Sequence, residues 1–188
     1  MNDKKIYKIA ALIISLLVLV IIAAFCLSQR PGKVKNEINS QNMKIRSFSF
    51  EDNQSIPKKY TCDGENISPS FQITDIPKET KSLLFIVDDP DALGETWNHW
   101  IVWNINPDTS LFEEGEIPEG SVEGINDSGK NSYYGPCPPS GTHYYHFKLF
   151  ALGKTIENNP SFKKEEIEKL VKESIIGSAE LVGTYEKK

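Results

Sequence analysis

Residues 82–89 read SLLFIVDD, and this stretch decides the fold class. A strand formed by SLLFIV is apolar on both faces, so we expect it at the centre of a sheet. Five more segments have the alternation and the Val, Ile, Phe, Tyr and Trp content that strands favour. They are IRSFSF (45–50), ISPSFQI (67–73), HWIVWNI (99–105), HYYHFKLFAL (143–152) and ELVGTY (180–185). The sequence therefore predicts a mainly β domain of largely antiparallel strands.

One segment near the carboxyl end has helical periodicity instead. In residues 162–176, FKKEEIEKLVKESII, the apolar side chains fall on one helical stripe. They are Phe162, Ile167, Leu170, Val171 and Ile175. The preceding Asn-Pro-Ser is typical of a helix start and the following Gly177 of a helix end, so we expect one helix here.

The amino-terminal part of the chain differs from this body. Residues 9–27, IAALIISLLVLVIIAAFCL, carry no charge, and a helix of that length spans roughly 28 Å, close to the thickness of a bilayer core. Phe25 spoils a small-x-small cleavage site, which favours an uncleaved anchor over a cleaved signal peptide. We therefore divide the chain into a short basic amino terminus (1–8), a transmembrane signal anchor (9–27), a polar linker (28–44) and the β domain (45–188).

Basic residues flank the apolar segment on both sides, so charge alone leaves its orientation open. The short amino end most naturally stays inside. The expected localisation is therefore a single-pass membrane protein, held by residues 9–27, with its carboxyl-terminal domain on the extracytoplasmic side. The reversed topology, with a cytoplasmic domain, is the alternative.

The charge of the body argues against nucleic acid as a partner. Residues 36–188 hold 25 of the 26 acidic residues and 15 of the 21 basic ones, a net charge of −10. Such a body repels phosphate backbones at long range. No basic patch that could override this field is evident in the sequence.

Four polar side chains near strand ends are candidates for a binding site. Asp89 follows the buried strand, His99 opens the next strand, and His143 shares one strand face with Tyr145. A carboxylate, two imidazoles and a phenol could bind an anion if the histidines are protonated and Asp89 orients one of them. From the pattern alone, a structural role in an aromatic core is the favoured reading.

A loop rich in glycine and proline precedes the last of these candidates. Residues 124–143, GINDSGKNSYYGPCPPSGTH, are too aromatic for a disordered linker. Glycine lets the backbone approach a ligand closely and proline fixes the chain, so a preset pocket wall is one interpretation. It would use Gly135, Pro136, Pro138 and Pro139. A loop that merely packs on the sheet is the other.

Taken together, these segments resemble the phosphatidylethanolamine-binding protein family, in particular its bacterial and archaeal Raf-kinase-inhibitor-like branch. The motifs that carry the resemblance are YTCDGENISP (60–69), DDPDA (88–92), HW (99–100) with NI (104–105), GIND (124–127), GPCPP (135–139), and His143 with Tyr145 and Phe147. They occur in the family's order and cover nearly all of residues 45–188. Relatives differ at Leu93, Ser128 and Tyr144, where many have Pro, Phe and Arg.

The resemblance implies a fold and a site. The fold is a sandwich of two antiparallel sheets with a helix near the carboxyl end. The site is a pocket for a phosphate-like or acetate-like anion built from Asp89, His99, His143 and Tyr145, with the loop from Gly135 to Pro139 at its mouth. The resemblance also brings Cys62 and Cys137 near this pocket, where in an exported domain they could form a disulfide. Loss of the arginine at position 144 should weaken affinity for a doubly charged phosphate.

Two functional classes follow. In the first, a non-catalytic binding protein takes a small anion or a phospholipid headgroup; in the second, an interaction module inhibits a serine protease or a kinase through surface loops such as residues 108–119. A metal triad or a Ser-His-Asp hydrolase is the weaker alternative, because polar support for a metal and a G-x-S-x-G elbow are both missing from the sequence. We expect no cofactor and no metal, and the sequence leaves a homodimer open.

Overall fold

The computed structural model describes residues 43–187. Within them the chain forms nine strands, one short 3₁₀ turn at Lys58–Tyr60 and one α-helix, α1, at Lys164–Val171. The strands are β1 Lys44–Ser47, β2 Gln54–Ser55, β3 Phe71–Thr74, β4 Ser82–Asp89, β5 Trp97–Ile105, β6 Leu111–Phe112, β7 Val122–Glu123, β8 Thr142–Leu152 and β9 Ile175–Glu186.

The strands form two sheets that pack face to face. The smaller sheet has the order β1-β3-β6 and the larger one β2-β9-β8-β4-β5-β7. All pairs are antiparallel except β2 with β9. Phe71 of the smaller sheet lies 5.1 Å from Phe85 and 5.2 Å from Phe147 of the larger one, centroid to centroid. The predicted mainly β fold with two sheets is confirmed.

The stretch that decides the fold class lies at the centre of the larger sheet. All eight residues of β4 are buried. Leu83, Phe85 and Val87 face the core between the sheets, whereas Leu84 and Ile86 belong to a second apolar cluster on the opposite face. This strand is apolar on both faces because both faces are covered, as predicted.

The carboxyl-terminal helix covers that second face but is shorter than predicted. Ile167 and Val171 are buried in the cluster, while Leu170, placed on the buried stripe by the sequence, is 45% exposed. The helix ends at Val171, whose carbonyl accepts hydrogen bonds from the Ser174 amide and hydroxyl. Ile175 then pairs with Leu152 and begins β9, because a long antiparallel ladder is open to it there.

Other bounds also differ from the prediction. β1 begins at Lys44, inside the predicted linker, β3 takes only the end of ISPSFQI, and β5 begins two residues earlier than expected. The two-residue strands β2, β6 and β7 were not predicted, since two residues carry too little pattern to be recognised.

The localisation expected from the sequence is corrected by the structure. No helix within residues 43–187 is long and apolar enough to cross a membrane, so the predicted single-pass membrane placement of the domain is contradicted. The segments on which it was based, residues 1–8, 9–27 and most of 28–44, lie outside the described residues.

Candidate functional site

A β-bulge turns His99 toward the core. Val87 pairs with Trp100, but the next residue of β4, Asp88, pairs with Asn98, so His99 is one extra residue in β5. Without this irregularity His99 and Trp100 would point to opposite faces. Instead the His99 ring, 3% exposed, lies edge-on to Tyr145 of β8 at 5.2 Å between centroids.

Asp89 and His143 form a buried pair at the same end of the larger sheet. His143 Nδ1 lies 2.7 Å from Asp89 Oδ2, and the Asp91 amide donates to Asp89 Oδ1 at 2.8 Å. Because a carboxylate oxygen accepts, His143 Nδ1 carries a proton and Nε2 is the atom left for a ligand. Both oxygens of Asp89 are occupied, so this residue positions His143.

The other histidine is fixed by the loop. His99 Nδ1 lies 2.6 Å from the carbonyl oxygen of Tyr134, and since a carbonyl can only accept, Nδ1 donates. Burial lowers the pKa of His99 below its usual value, although the bond to Tyr134 and the charge of Asp89 oppose this shift. His99 is therefore neutral at neutral pH, and its Nε2 must gain a proton before it can donate to an anion.

Tyr145 lies between the two histidines. Its ring is parallel to His143 at 6.4 Å between centroids and its side chain is fully buried. The Cys137 backbone approaches the Tyr145 hydroxyl, but Oη meets hydrogen-bond geometry with no described residue. Burial raises the pKa of Tyr145 far above its usual value, so the hydroxyl keeps its proton and is an unsatisfied donor.

The loop from Gly135 to Pro139 is tied to the segment around Cys62 in three ways. The Gly135 amide donates to Asn66 Oδ1 at 2.8 Å, the Cys62 amide donates to the Pro136 carbonyl at 3.1 Å, and Cys62 and Cys137 form a disulfide. This is the pair that the family resemblance implies. A Cβ on Gly135 would lie 2.8 Å from Asn66 Oδ1 and closer still to the Tyr60 carbonyl oxygen, so only glycine fits this approach.

These elements enclose a cavity of about 310 Å³. Of the residues predicted for the site, Asp89, His99, His143, Pro138 and Pro139 line it. Gly135, Pro136 and Tyr145 do not line it. The backbone of Gly135 and Pro136 bonds to the segment around Cys62, and the Tyr145 ring packs against the two imidazoles.

Five further residues line the cavity that were not named among its ligand-binding residues. They are Ala92, Leu93, Trp97, Tyr134 and Cys137. All five lie within or beside motifs that the resemblance had already marked, so proximity in sequence was the available signal. The position of Trp97 depends on the bulge in β5 and that of Cys137 on the disulfided loop, which sequence alternation does not reveal.

Two departures from the usual family pattern lie away from the cavity. Tyr144 stands on the opposite face of β8 from His143 and is 47% exposed, with its amide donating to Asp91 Oδ2 at 2.9 Å. Ser128 bonds within its own turn, to Asn126 Oδ1 at 2.7 Å. Within residues 43–187, no group of three or more His, Cys, Asp or Glu side chains is arranged to hold a metal ion.

Comparison with known proteins agrees with this architecture. The family model described as phosphatidylethanolamine-binding protein matches residues 46–186. The chain belongs to the phosphatidylethanolamine-binding protein family. Among its relatives, the UPF0098 protein of Methanothermobacter thermautotrophicus is 45% identical over 148 residues, which cover 76% of this chain and 98% of that protein. UPF0098 protein PH1269 of Pyrococcus horikoshii is 44% identical over 155 residues, 78% of each chain.

Two solved structures of this family are similar in fold. A phosphatidylethanolamine-binding protein homologue from Chlamydia trachomatis superposes with a TM-score of 0.76 at 40% identity, covering 79% of this chain and 100% of the other. E. coli YbcL, described as a member of the mammalian family, gives a TM-score of 0.74 at 30% identity, with 78% and 99% covered. The protein is thus a family member with the family's two-sheet fold.

Proposed function

We propose that this protein binds a small anion, a phosphate or phosphate-like group, in the cavity beneath the Gly135–Pro139 loop, and that it acts as a binding protein without catalysis. The observation that carries the proposal is that two histidines with a free ring nitrogen line the cavity and pack against Tyr145, whose buried hydroxyl is unsatisfied. The Nε2 atoms of His99 and His143 are the free ring nitrogens, and the Tyr145 hydroxyl between the rings has no described partner. A buried unsatisfied donor needs an explanation, and a bound anion supplies one.

The charges of the cavity define which anion fits. Among the residues that the structure describes, no Lys or Arg side chain lines it, so positive charge must come from protonation of an imidazole. An anion beside His99 favours the charged ring and raises its pKa from the lowered value set by burial. Binding should therefore take up a proton and be tighter below neutral pH. A singly charged phosphate suits the site better than a doubly charged one.

The test is calorimetric titration of the full chain with inorganic phosphate at about pH 6 and about pH 8, near and above the ordinary imidazole pKa. We expect saturable binding that is tighter at the lower pH. Repetition in two buffers with different ionisation enthalpies counts the protons taken up.

The test variant removes the free ring nitrogen of His143, and a control variant removes the corresponding nitrogen of a histidine outside the cavity. In His143→Asn the amide can replace Nδ1 in the bond to Asp89 but offers nothing in place of Nε2. His146→Asn is the matched control, because this histidine lies on the other face of β8 and pairs with Glu180. Loss of binding in the first and retention in the second supports the pocket.

Absence of binding at millimolar phosphate at both pH values would refute this function. The alternative is then an interaction module that inhibits a serine protease or a kinase through its surface, for example residues 108–119. Inhibition assays with substitutions in that loop would be the next step.

A further inference from the structure

Two large apolar side chains stand exposed at the mouth of the cavity. Leu93 is 89% exposed and Trp97 is 38% exposed, and both belong to the cavity wall. Single exposed apolar residues are common on protein surfaces and need no explanation. An exposed pair that continues the wall of a binding cavity is different, because any ligand extending out of the cavity must cover it.

The charges around the mouth limit what such an extension can be. Asp89 is the only carboxylate that lines the cavity within the described residues, and each of its oxygens already accepts one hydrogen bond, from His143 or from the Asp91 amide. An ammonium group attached to the bound anion would therefore lose water and find no carboxylate in the cavity wall other than this one, which already accepts from His143 and the Asp91 amide. The remaining mouth residues, Ala92, Pro138 and Pro139, are apolar as well.

We propose that the ligand is a phosphate monoester whose substituent is apolar, with the phosphate at His99 and His143 and the substituent on Leu93 and Trp97. This inference rests on the proposed anion site and specifies its ligand. It differs from binding of a phosphoethanolamine headgroup, because the mouth offers apolar surface and, among the described residues, no carboxylate besides Asp89 lines the cavity to meet an ammonium. Leu93 and Trp97 are then the residues that determine specificity.

The experiment compares monoesters of equal charge on the full chain at about pH 6. Burial of one methylene contributes a factor of about 4 in affinity when complete, so three half-covered methylenes give about tenfold. We expect butyl phosphate to bind about tenfold more tightly than methyl phosphate, and O-phosphoethanolamine to bind no more tightly than methyl phosphate. Monomeric dihexanoyl phosphatidic acid tests the lipid source: affinity at or above that of butyl phosphate indicates a lipid, and weaker binding indicates a soluble monoester.

Leu93→Gln should reduce the ratio of butyl to methyl phosphate affinity from about tenfold to about threefold or less. The matched control is Leu170→Gln, at the 45% exposed leucine of α1, which should change neither affinity. Equal affinity for butyl and methyl phosphate, or tightest binding of O-phosphoethanolamine, would overturn the inference while the anion site stands. If methyl phosphate itself does not bind, the proposed function fails and the inference fails with it.

Discussion

Replacement of Tyr145 by phenylalanine should stabilise the protein while weakening its affinity for phosphate. The Tyr145 side chain is fully buried and its hydroxyl has no hydrogen-bond partner among the described residues. In the unfolded chain the same hydroxyl is bonded to water, so folding without ligand loses that hydrogen bond and no bond within the described residues replaces it. Phenylalanine keeps the ring, and with it the contacts to His99 and His143 at 5.2 and 6.4 Å between centroids.

The magnitude follows from the desolvation of one hydroxyl. An unsatisfied buried polar group costs about 1–3 kcal/mol. The approach of the Cys137 backbone offsets part of this cost, and the removed oxygen leaves a small void. We therefore expect Tyr145→Phe to raise the unfolding free energy by about 1 kcal/mol, which corresponds to a rise in Tm of about 2–4 °C for a chain of this size.

Urea and thermal unfolding without phosphate measure this change, and Tyr133→Phe is the matched control. Tyr133 is also buried, but its hydroxyl donates to the Tyr60 carbonyl at 3.0 Å. Its loss leaves that carbonyl unsatisfied and should cost about 1 kcal/mol. The two substitutions should therefore shift stability in opposite directions. If Tyr145→Phe destabilises the protein as much as Tyr133→Phe does, or leaves phosphate affinity intact, Tyr145 is not the free donor of the site.

Three further outcomes are expected. Because burial lowers the pKa of His99 in the folded state, the unfolded chain binds more protons, and the unfolding free energy should fall as the pH drops below about 6.5. In urea unfolding at several pH values, His99→Asn should reduce this dependence on pH. An unchanged dependence would show that His99 is not its source. Replacing both Cys62 and Cys137 by serine removes a disulfide between residues 75 apart in sequence and should lower the unfolding free energy by about 2–5 kcal/mol. Two free thiols in an Ellman titration of the unreduced domain would show that the disulfide does not form. Gly135→Ala should cost about 1–3 kcal/mol, because its Cβ would collide with the Tyr60 carbonyl oxygen, and an unchanged Tm would mean that the loop can shift.

Much of the sheet architecture could be predicted because a strand that is buried on both faces is apolar at consecutive positions. SLLFIV is apolar at five consecutive positions, and β4 is buried on both sides. The alternation of side chains along β8 was also predicted correctly, with His143 and Tyr145 inward and Tyr144 outward. The helix was predicted but its end was not, since Ile175 fits both the helical stripe and a strand. Only its pairing with Leu152 in the folded protein places it in β9.

The geometry of the site was less predictable because it depends on irregularities. Alternation along β5 would separate His99 from Trp100, and the single extra residue that brings them to one face has no sequence signature of its own. The inward position of Trp97 depends on the same bulge. Cys137 was expected near the pocket as a possible disulfide partner, and the structure adds that it lines the cavity itself.

The structure changes the expected protonation of the two histidines, and with it the positive charge available to bind an anion. From the sequence, anion binding was expected to depend on protonated histidines, with Asp89 orienting one of them. In the structure the aspartate serves only His143, and His99 donates to the Tyr134 carbonyl within a buried environment that lowers its pKa. With His99 neutral, the cavity holds less positive charge than its composition suggests, and a ligand must bring the missing proton or draw it from solution. Anion affinity and proton uptake are then two measures of one equilibrium, so the pH dependence of binding tests the site more directly than affinity at a single pH.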